Sequence, residues 1–232
     1  MSRRFQIHLP IEDAYRREAA FALELVDAVT LSRVSEGVRI DADGIAGKPV
    51  LNAGGLFVWL KQDLTPLRRI TIDPGTLPYE RVERARAQLR LPPDKPAITT
   101  VELPPRVDYA FAAGITGLRG TLVEEPPPRA RVPVADAEVH LRWLDADGVT
   151  WRDAPTVSHT DARGDFVSIA RLAADQAPLL DSNQVTVRLR VRRGGNERGS
   201  DDLKLPQGRV ADPSTFAPGP GALPFAWDDL QP

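Results

Sequence analysis

The stretch Gln184-Val-Thr-Val-Arg-Leu-Arg-Val191 decides the fold class. Val185, Val187, Leu189 and Val191 fall on one side, while Arg188, Arg190 and Arg192 fall on the other. That two-residue period belongs to a half-buried β-strand and not to a helix. Upstream, Ala137, Val139, Leu141 and Trp143 alternate with Glu138, His140 and Arg142, and the Asp145–Gly148 sequence DADG then reads as a turn. Phe21, Leu23 and Leu25 repeat the pattern near the start. So do Val38 and Ile40, the run LFVWL with Phe57 and Trp59, Ile70 and Ile72, and ITTVEL at 98–103. Turn signals close most of these runs: DADG at Asp41–Gly44, NAGG at Asn52–Gly55, DPG at Asp73–Gly75 and DARG at Asp161–Gly164.

Composition agrees with this reading. Of 232 residues, 22 are Pro and 17 are Gly, too many helix breakers for a mainly helical protein. The expectation is an all-β protein of two small antiparallel β-sandwich domains in tandem, residues 1–106 and 107–200, followed by an extended Pro/Gly-rich tail at 201–232. Phe5–Leu9 alternates as a short strand stopped by Pro10. Tyr79–Leu91 is the ambiguous element: Val82, Ala85 and Leu89 would share one face of a short helix. The two halves echo each other in pattern more than in identity, which suggests a duplication. Between the first two strands of the second half, EEPPPRARVPV is expected to be an extended arm.

Several classes of function are excluded or disfavoured. Net charge is −2, and 30 basic residues are balanced by 32 acidic ones, so no nucleic-acid footprint appears. The basic residues that do cluster, Arg188, Arg190, Arg192 and Arg193, form a stripe that could serve as an interaction face. No run approaches a membrane span. The N-terminus has arginines but no apolar segment behind them, so synthesis in the cytoplasm without a signal peptide is expected. With no Cys and three isolated histidines (His8, His140, His159), neither thiolate nor imidazole metal sites are expected. The DADG turns lack the calcium-loop pattern and read as Asx-turns. Ser158, His159 and Asp161 are loop neighbours without a nucleophile elbow, so no catalytic triad is expected. No cofactor, small-molecule substrate or enzymatic activity is predicted.

The segment Gly120–Ile169 resembles the carboxypeptidase regulatory-like module, a transthyretin-like sandwich. Gly120 matches its opening glycine, Pro133–Val139 its PVAGA-V step with Asp136 in place of glycine, and Thr160–Phe166 its T-D-x-x-G-x-F return. In the first half, NAGGLFVW resembles the same return. The resemblance implies non-catalytic modules that act as spacers or attachments. A tandem pair of them is similar to accessory proteins of phage-tail-like and contractile injection particles. The expected function is therefore structural or adaptor, with other protein subunits as partners. The alternative is a carbohydrate- or peptide-binding module using Trp59 and Trp151. Within 201–232, Phe216, Phe225 and Trp227 are costly to expose, which makes the tail an attachment element with those residues as anchors. Deleting it is then expected to leave both sandwiches folded.

Overall fold

A computed structural model describes residues 18–60, 62–94, 96–125, 132–172, 176–212 and 225–232. The fold is all-β. Its strands are β1 (Ala19–Asp27), β2 (Arg39–Asp43), β3 (Val50–Leu51), β4 (Phe57–Leu60), β5 (Arg69–Asp73), β6 (Val82–Ala85), β7 (Ile98–Leu103), β8 (Thr116–Val123) and β9 (Glu138–Leu144). There follow β10 (Trp151–His159), β11 (Asp165–Ala170), β12 (Leu180–Asp181), β13 (Gln184–Arg193), β14 (Asn196–Gly199), β15 (Leu203–Pro206), β16 (Val210–Ala211) and β17 (Phe225–Ala226). No helix among the described residues is long and apolar enough to cross a membrane.

Each half packs one sheet on another. In the first half, a sheet ordered β3-β4-β1-β7 faces one ordered β2-β5-β6. Phe21, Leu23, Leu25, Trp59, Val101 and Leu103 from the first sheet meet Ile40, Ile70, Ile72 and Val82 from the second. In the second half, β11-β8-β16 with β17 faces β10-β9-β13 with β12, β14 and β15. Leu118, Leu122 and Phe166 there meet Val139, Leu141, Trp143 and the four inward residues of β13. The alternation read from sequence is the one the cores use.

Tyr79–Leu91 is not a helix. Val82–Ala85 pairs with β5, from Arg69↔Ala85 to Ile72↔Val82, and only Arg86–Gln88 makes a turn of 3-10 helix. The reason lies in the neighbour: Ile70 and Ile72 offer an open ladder, and the thin apolar stripe Val82–Ala85–Leu89 offers a helix nothing comparable to bury. The sheets are also not wholly antiparallel, since β7 runs parallel to β1, and β16 and β17 run parallel to β8.

The β1–β4 pair of the first half and the β8–β11 pair of the second correspond down to individual hydrogen bonds. Phe57 pairs with Leu23 on β1 as Phe166 pairs with Gly120 on β8. The turns before them match as well. Asn52 Oδ1 accepts from Leu56 N and Asp161 Oδ1 from Asp165 N, with Gly55 at φ +76° and Gly164 at φ +78°. At the ends of β1 and β8, Asp27 N donates to Ser32 O and Glu124 N to Val132 O, both at 2.9 Å.

This correspondence relocates the expected tail. β15 pairs with β13, while β16 and β17 stand beside β8 where β7 stands beside β1. Phe225 pairs with Leu122 as Val101 pairs with Leu25, which puts Trp227 at the position of the buried Leu103. The described parts of 201–232, from β15 to β16 and from β17 to Leu230, thus belong to the second sandwich. β16 pairs with Gly117 and Leu118 and β17 with Leu122 and Val123, and in the first half Ile98, Thr99 and Thr100 lie beside Ala22, Leu23 and Glu24, the equivalents of the positions between.

The two equivalent glycines carry unequal loads. A Cβ on Gly164 would lie 2.3 Å from Leu122 O, a ladder carbonyl, whereas one on Gly55 would meet the flexible Arg33 side chain at 2.8 Å. Both substitutions incur the left-handed backbone penalty of about 1–2 kcal/mol. Gly164→Ala is expected to cost distinctly more than Gly55→Ala in denaturant unfolding. Equal costs would contradict the backbone clash.

Candidate functional site: the junction and its cleft

At the junction between the halves, polar side chains remote in sequence converge in a buried setting. Asp27, at the end of β1, is 5% exposed. Its Oδ1 accepts from Val29 N at 2.7 Å and Thr30 N at 3.3 Å. Its Oδ2 accepts from Tyr109 Oη at 2.5 Å and Tyr79 Oη at 3.2 Å. A buried carboxylate is tolerated when its lone pairs are filled in this way. Burial, followed by the neighbouring Asp27 charge, pushes the Tyr79 hydroxyl up to about 12. Burial and the hydrogen bond to Asp27 push Tyr109 further in the same direction. Tyr109 is tilted against both Tyr79 and Phe111, and an apolar patch of Val29, Tyr109 and Ile169 lies beneath.

Three further ties cross or brace this junction. Arg171 clamps Glu102 with two bonds, at 3.0 and 2.8 Å, and its Nη1 also donates to Ala28 O at 3.0 Å. Arg119 donates to Val107 O at 3.0 Å and Tyr109 O at 2.8 Å, holding the connecting segment against β8. On the far side, the carboxylate of Glu80 accepts from His159 N at 3.0 Å and sits 2.9 Å from His159 Nδ1. This caps an edge position of β10 that would otherwise offer a free donor.

Beside these ties opens a cleft of about 1200 Å³. Residues of edge strands β6 and β10 line it, Arg84 and His159 among them, together with Glu80, Arg106, Asp136 and Arg163. Most of its charges are matched: Arg81 with Glu83, Arg106 with Asp108, Arg163 with Asp161 and Asp165. Burial lowers Arg84 from its ordinary value.

The hydrogen bond to Glu80 raises the His159 pKa above 6.5, against an opposing effect of burial and with help from the charges of Glu80, Glu138 and Asp136. A raised folded-state value means the link contributes fully below about pH 6.5. Its contribution is lost as pH rises through the higher folded value. The melting difference between the native protein and His159→Gln is therefore expected to be larger at acid than at alkaline pH. A difference independent of pH would contradict the linkage.

The residues singled out from sequence fall as follows. Phe225 and Trp227 lie in the second core: the Phe225 ring is 6.0 Å from that of Phe166, and Trp227 is 8% exposed. They are therefore already covered by their own chain, and the anchor role expected of them gives way to a core role. Phe216 and the arm residues 126–131 lie outside the described residues. The arginine stripe is laced with carboxylates: Arg188 with Asp202, Arg190 with Glu197, Arg192 with Glu138 and Glu197, and Arg193 with Glu124. Arg188 also lies 4.2 Å over the Trp151 ring. Trp59 is 1% exposed and stacks on Phe21 at 4.5 Å, so it cannot serve as a binding platform.

Ser158 and His159 diverge, the first donating to Val167 O inside the fold and the second turning to Glu80. No group of three or more metal-ligating side chains is assembled among the described residues. The DADG turn at 145–148 is an Asx-turn: Asp147 accepts from Val149 N, Thr150 N and Thr150 Oγ1, which brings its carboxyl down to about 2. Sequence reasoning missed Asp27, Tyr79, Tyr109, Glu80, Glu102 and Arg171. Only Asp27 left a signal, an acid inside the apolar run LELVDAV.

Compared with known proteins, the chain matches no family model, no curated protein and no solved structure.

Proposed function

We propose that this protein is a non-catalytic structural or adaptor subunit of a multi-protein assembly, of the kind found in phage-tail-like or contractile injection particles. The observation that supports this reading is the junction. A carboxylate holding two tyrosines from distant segments, together with a bidentate ion pair, joins the two halves. A stiff two-module unit suits a spacer or adaptor, which must hold its neighbours at a fixed distance and orientation. Its polar groups are spent on one another, which suits a brace better than a site that must bind and release a small molecule. Affinity capture of the full chain from its native cell, followed by electron microscopy of the eluate, tests the reading. Recovery within a regular particle is expected. Recovery only as free protein, or glycan binding abolished by Trp151→Ala, would overturn it.

A further inference from the structure

Strand β6 meets the cleft along an open edge. Among the described residues β5 is its ladder partner on one side, while Arg81, Val82, Glu83 and Arg84 all line the cleft. The edge of β10 that lines the same cleft is blunted. Pro155 has no N–H to offer there, and Glu80 already accepts from His159 N. No proline interrupts β6, and Val82–Ala85 keeps a regular register with β5. Its open side is suited to one more strand.

The side chains of β6 define what that strand must carry. Arg84 stands opposite Ile70 and Val82 opposite Ile72, so the two share the face that enters the first core. An arginine is out of place beside Ile70, Ile72 and Val82, each no more than 5% exposed. Arg81, Arg106 and Arg163 each meet a carboxylate, whereas Arg84 meets none among the described residues. Its guanidinium makes one hydrogen bond to them, from Nη1 to Glu83 O at 3.0 Å, which leaves most of the donor fork unused. A second polar group lining the cleft is also unmet. Thr156 is 6% exposed, and its Oγ1 has no hydrogen-bond partner among the described residues. Buried polar atoms are seldom left so.

We propose that the cleft receives an extended peptide segment of a partner subunit, which pairs with the open edge of β6 and sets an acidic side chain against Arg84. Directly opposed residues of neighbouring strands share a face, and an opposite-charge pair there is favourable. Opposite Val82, two residues along, the same face calls for an apolar side chain. The incoming strand therefore carries acidic and apolar residues at alternate positions. A wholly apolar strand is discouraged, because it would bury the guanidinium unpaired. The cleft's own carboxylates do not fill this role: Glu83 is held by Arg69 and Arg81, Asp108 by Arg106, and Asp161 and Asp165 by Arg163. The proposal rests on the structural-subunit reading and names the kind of segment by which a partner is held.

Fluorescence anisotropy of the full chain with a labelled, end-blocked peptide Val-Thr-Glu-Thr-Val tests it, the pattern being the same in either strand direction. The same peptide with Gln in place of Glu should bind about tenfold more weakly, the scale of a charge-assisted hydrogen bond. Arg84→Gln should bind both peptides at the weaker level with native melting, and Arg84→Lys should recover part of the preference. On the native protein, amide exchange at 81–85 should slow when the Glu peptide is bound, while exchange in β13 stays unchanged. Absence of binding, equal binding of the two peptides, unchanged exchange at 81–85, or displacement by acetate at the peptide's own concentration overturns the proposal. If neither peptide binds and particles are captured from the native cell as readily with Arg84→Gln as with the native chain, the strand site fails while the subunit reading stands. If the Glu peptide binds as expected but capture yields only free protein, the strand site stands and the subunit reading fails.

Discussion

Trp227→Ala is expected to destabilise the second half by about 3–5 kcal/mol, the range for removing a buried large aromatic side chain. The side chain belongs to the same core as Leu122, Phe166 and Val139. The indole is also covered by Arg198, whose guanidinium lies 4.7 Å over the ring and donates to the Trp227 carbonyl at 2.7 Å. Truncation after Asp212 should go further. It removes β17, the buried Leu230, and the paired bonds between Gln231 and Gly199 at 2.7 and 2.8 Å. Phe166 would lose Phe225 from its face, and β8 would lose its partner at Leu122 and Val123. Calorimetry of the truncated protein should retain a transition for the first half and lose the one for the second. Two intact transitions would mean that the aromatic end is dispensable to the core and free to serve elsewhere.

The last strand shows where sequence reading reaches its limit. Strands such as β9 and β13 were legible because they carry three and four inward residues at a two-residue period, and nothing local competes with that pattern. β16 and β17 contribute two paired residues each, with a Pro- and Gly-rich stretch between them, so no window contains enough alternation to register. Their place is set by the free edge of β8, a partner far away in the chain. The stretch at 79–91 failed for a related reason. One buried valine in Val82–Ala85 fits a helix face and a strand face equally well, and the open edge of β5 decides between them. Surface and core aromatics were likewise inseparable by composition: Trp59 and Trp151 both sit in strand-like runs, and only the register puts the first inward.

Among polar groups, the limit is distance along the chain. The Asp27 partners Tyr79 and Tyr109 lie 52 and 82 positions away, and Glu80 lies 79 positions from His159. No motif spacing covers such separations. What could be read was the anomaly itself, an aspartate in an apolar strand, since a carboxylate in that setting must find donors or leave the core.

Asp27→Ala is the substitution expected to do most damage at the junction. It leaves Val29 N and the Tyr109 hydroxyl as buried donors without an acceptor, each costing about 1–3 kcal/mol. Tyr109→Phe makes a smaller change, because Asp27 keeps Val29 N, Thr30 N and Tyr79 as donors. The two variants separate a polar effect from a packing one, since the second keeps the ring that packs with Val29 and Ile169. Asp27→Ala should also free the tyrosines to ionise more readily. Spectrophotometric titration should show the Tyr79 transition falling from about 12 toward 10 as the neighbouring charge is removed, stopping short of 10 because burial, the larger cause, remains. Small-angle scattering should show a broader distribution of lengths as the two halves begin to move against each other, held by the clamp of Arg171 on Glu102 and Ala28 O, the apolar patch and the Glu80–His159 link. An Asp27→Ala protein with native melting, native tyrosine titration and an unchanged scattering profile would show that the junction is held by its apolar patch alone, and the stiffness on which the adaptor reading depends would then need another source.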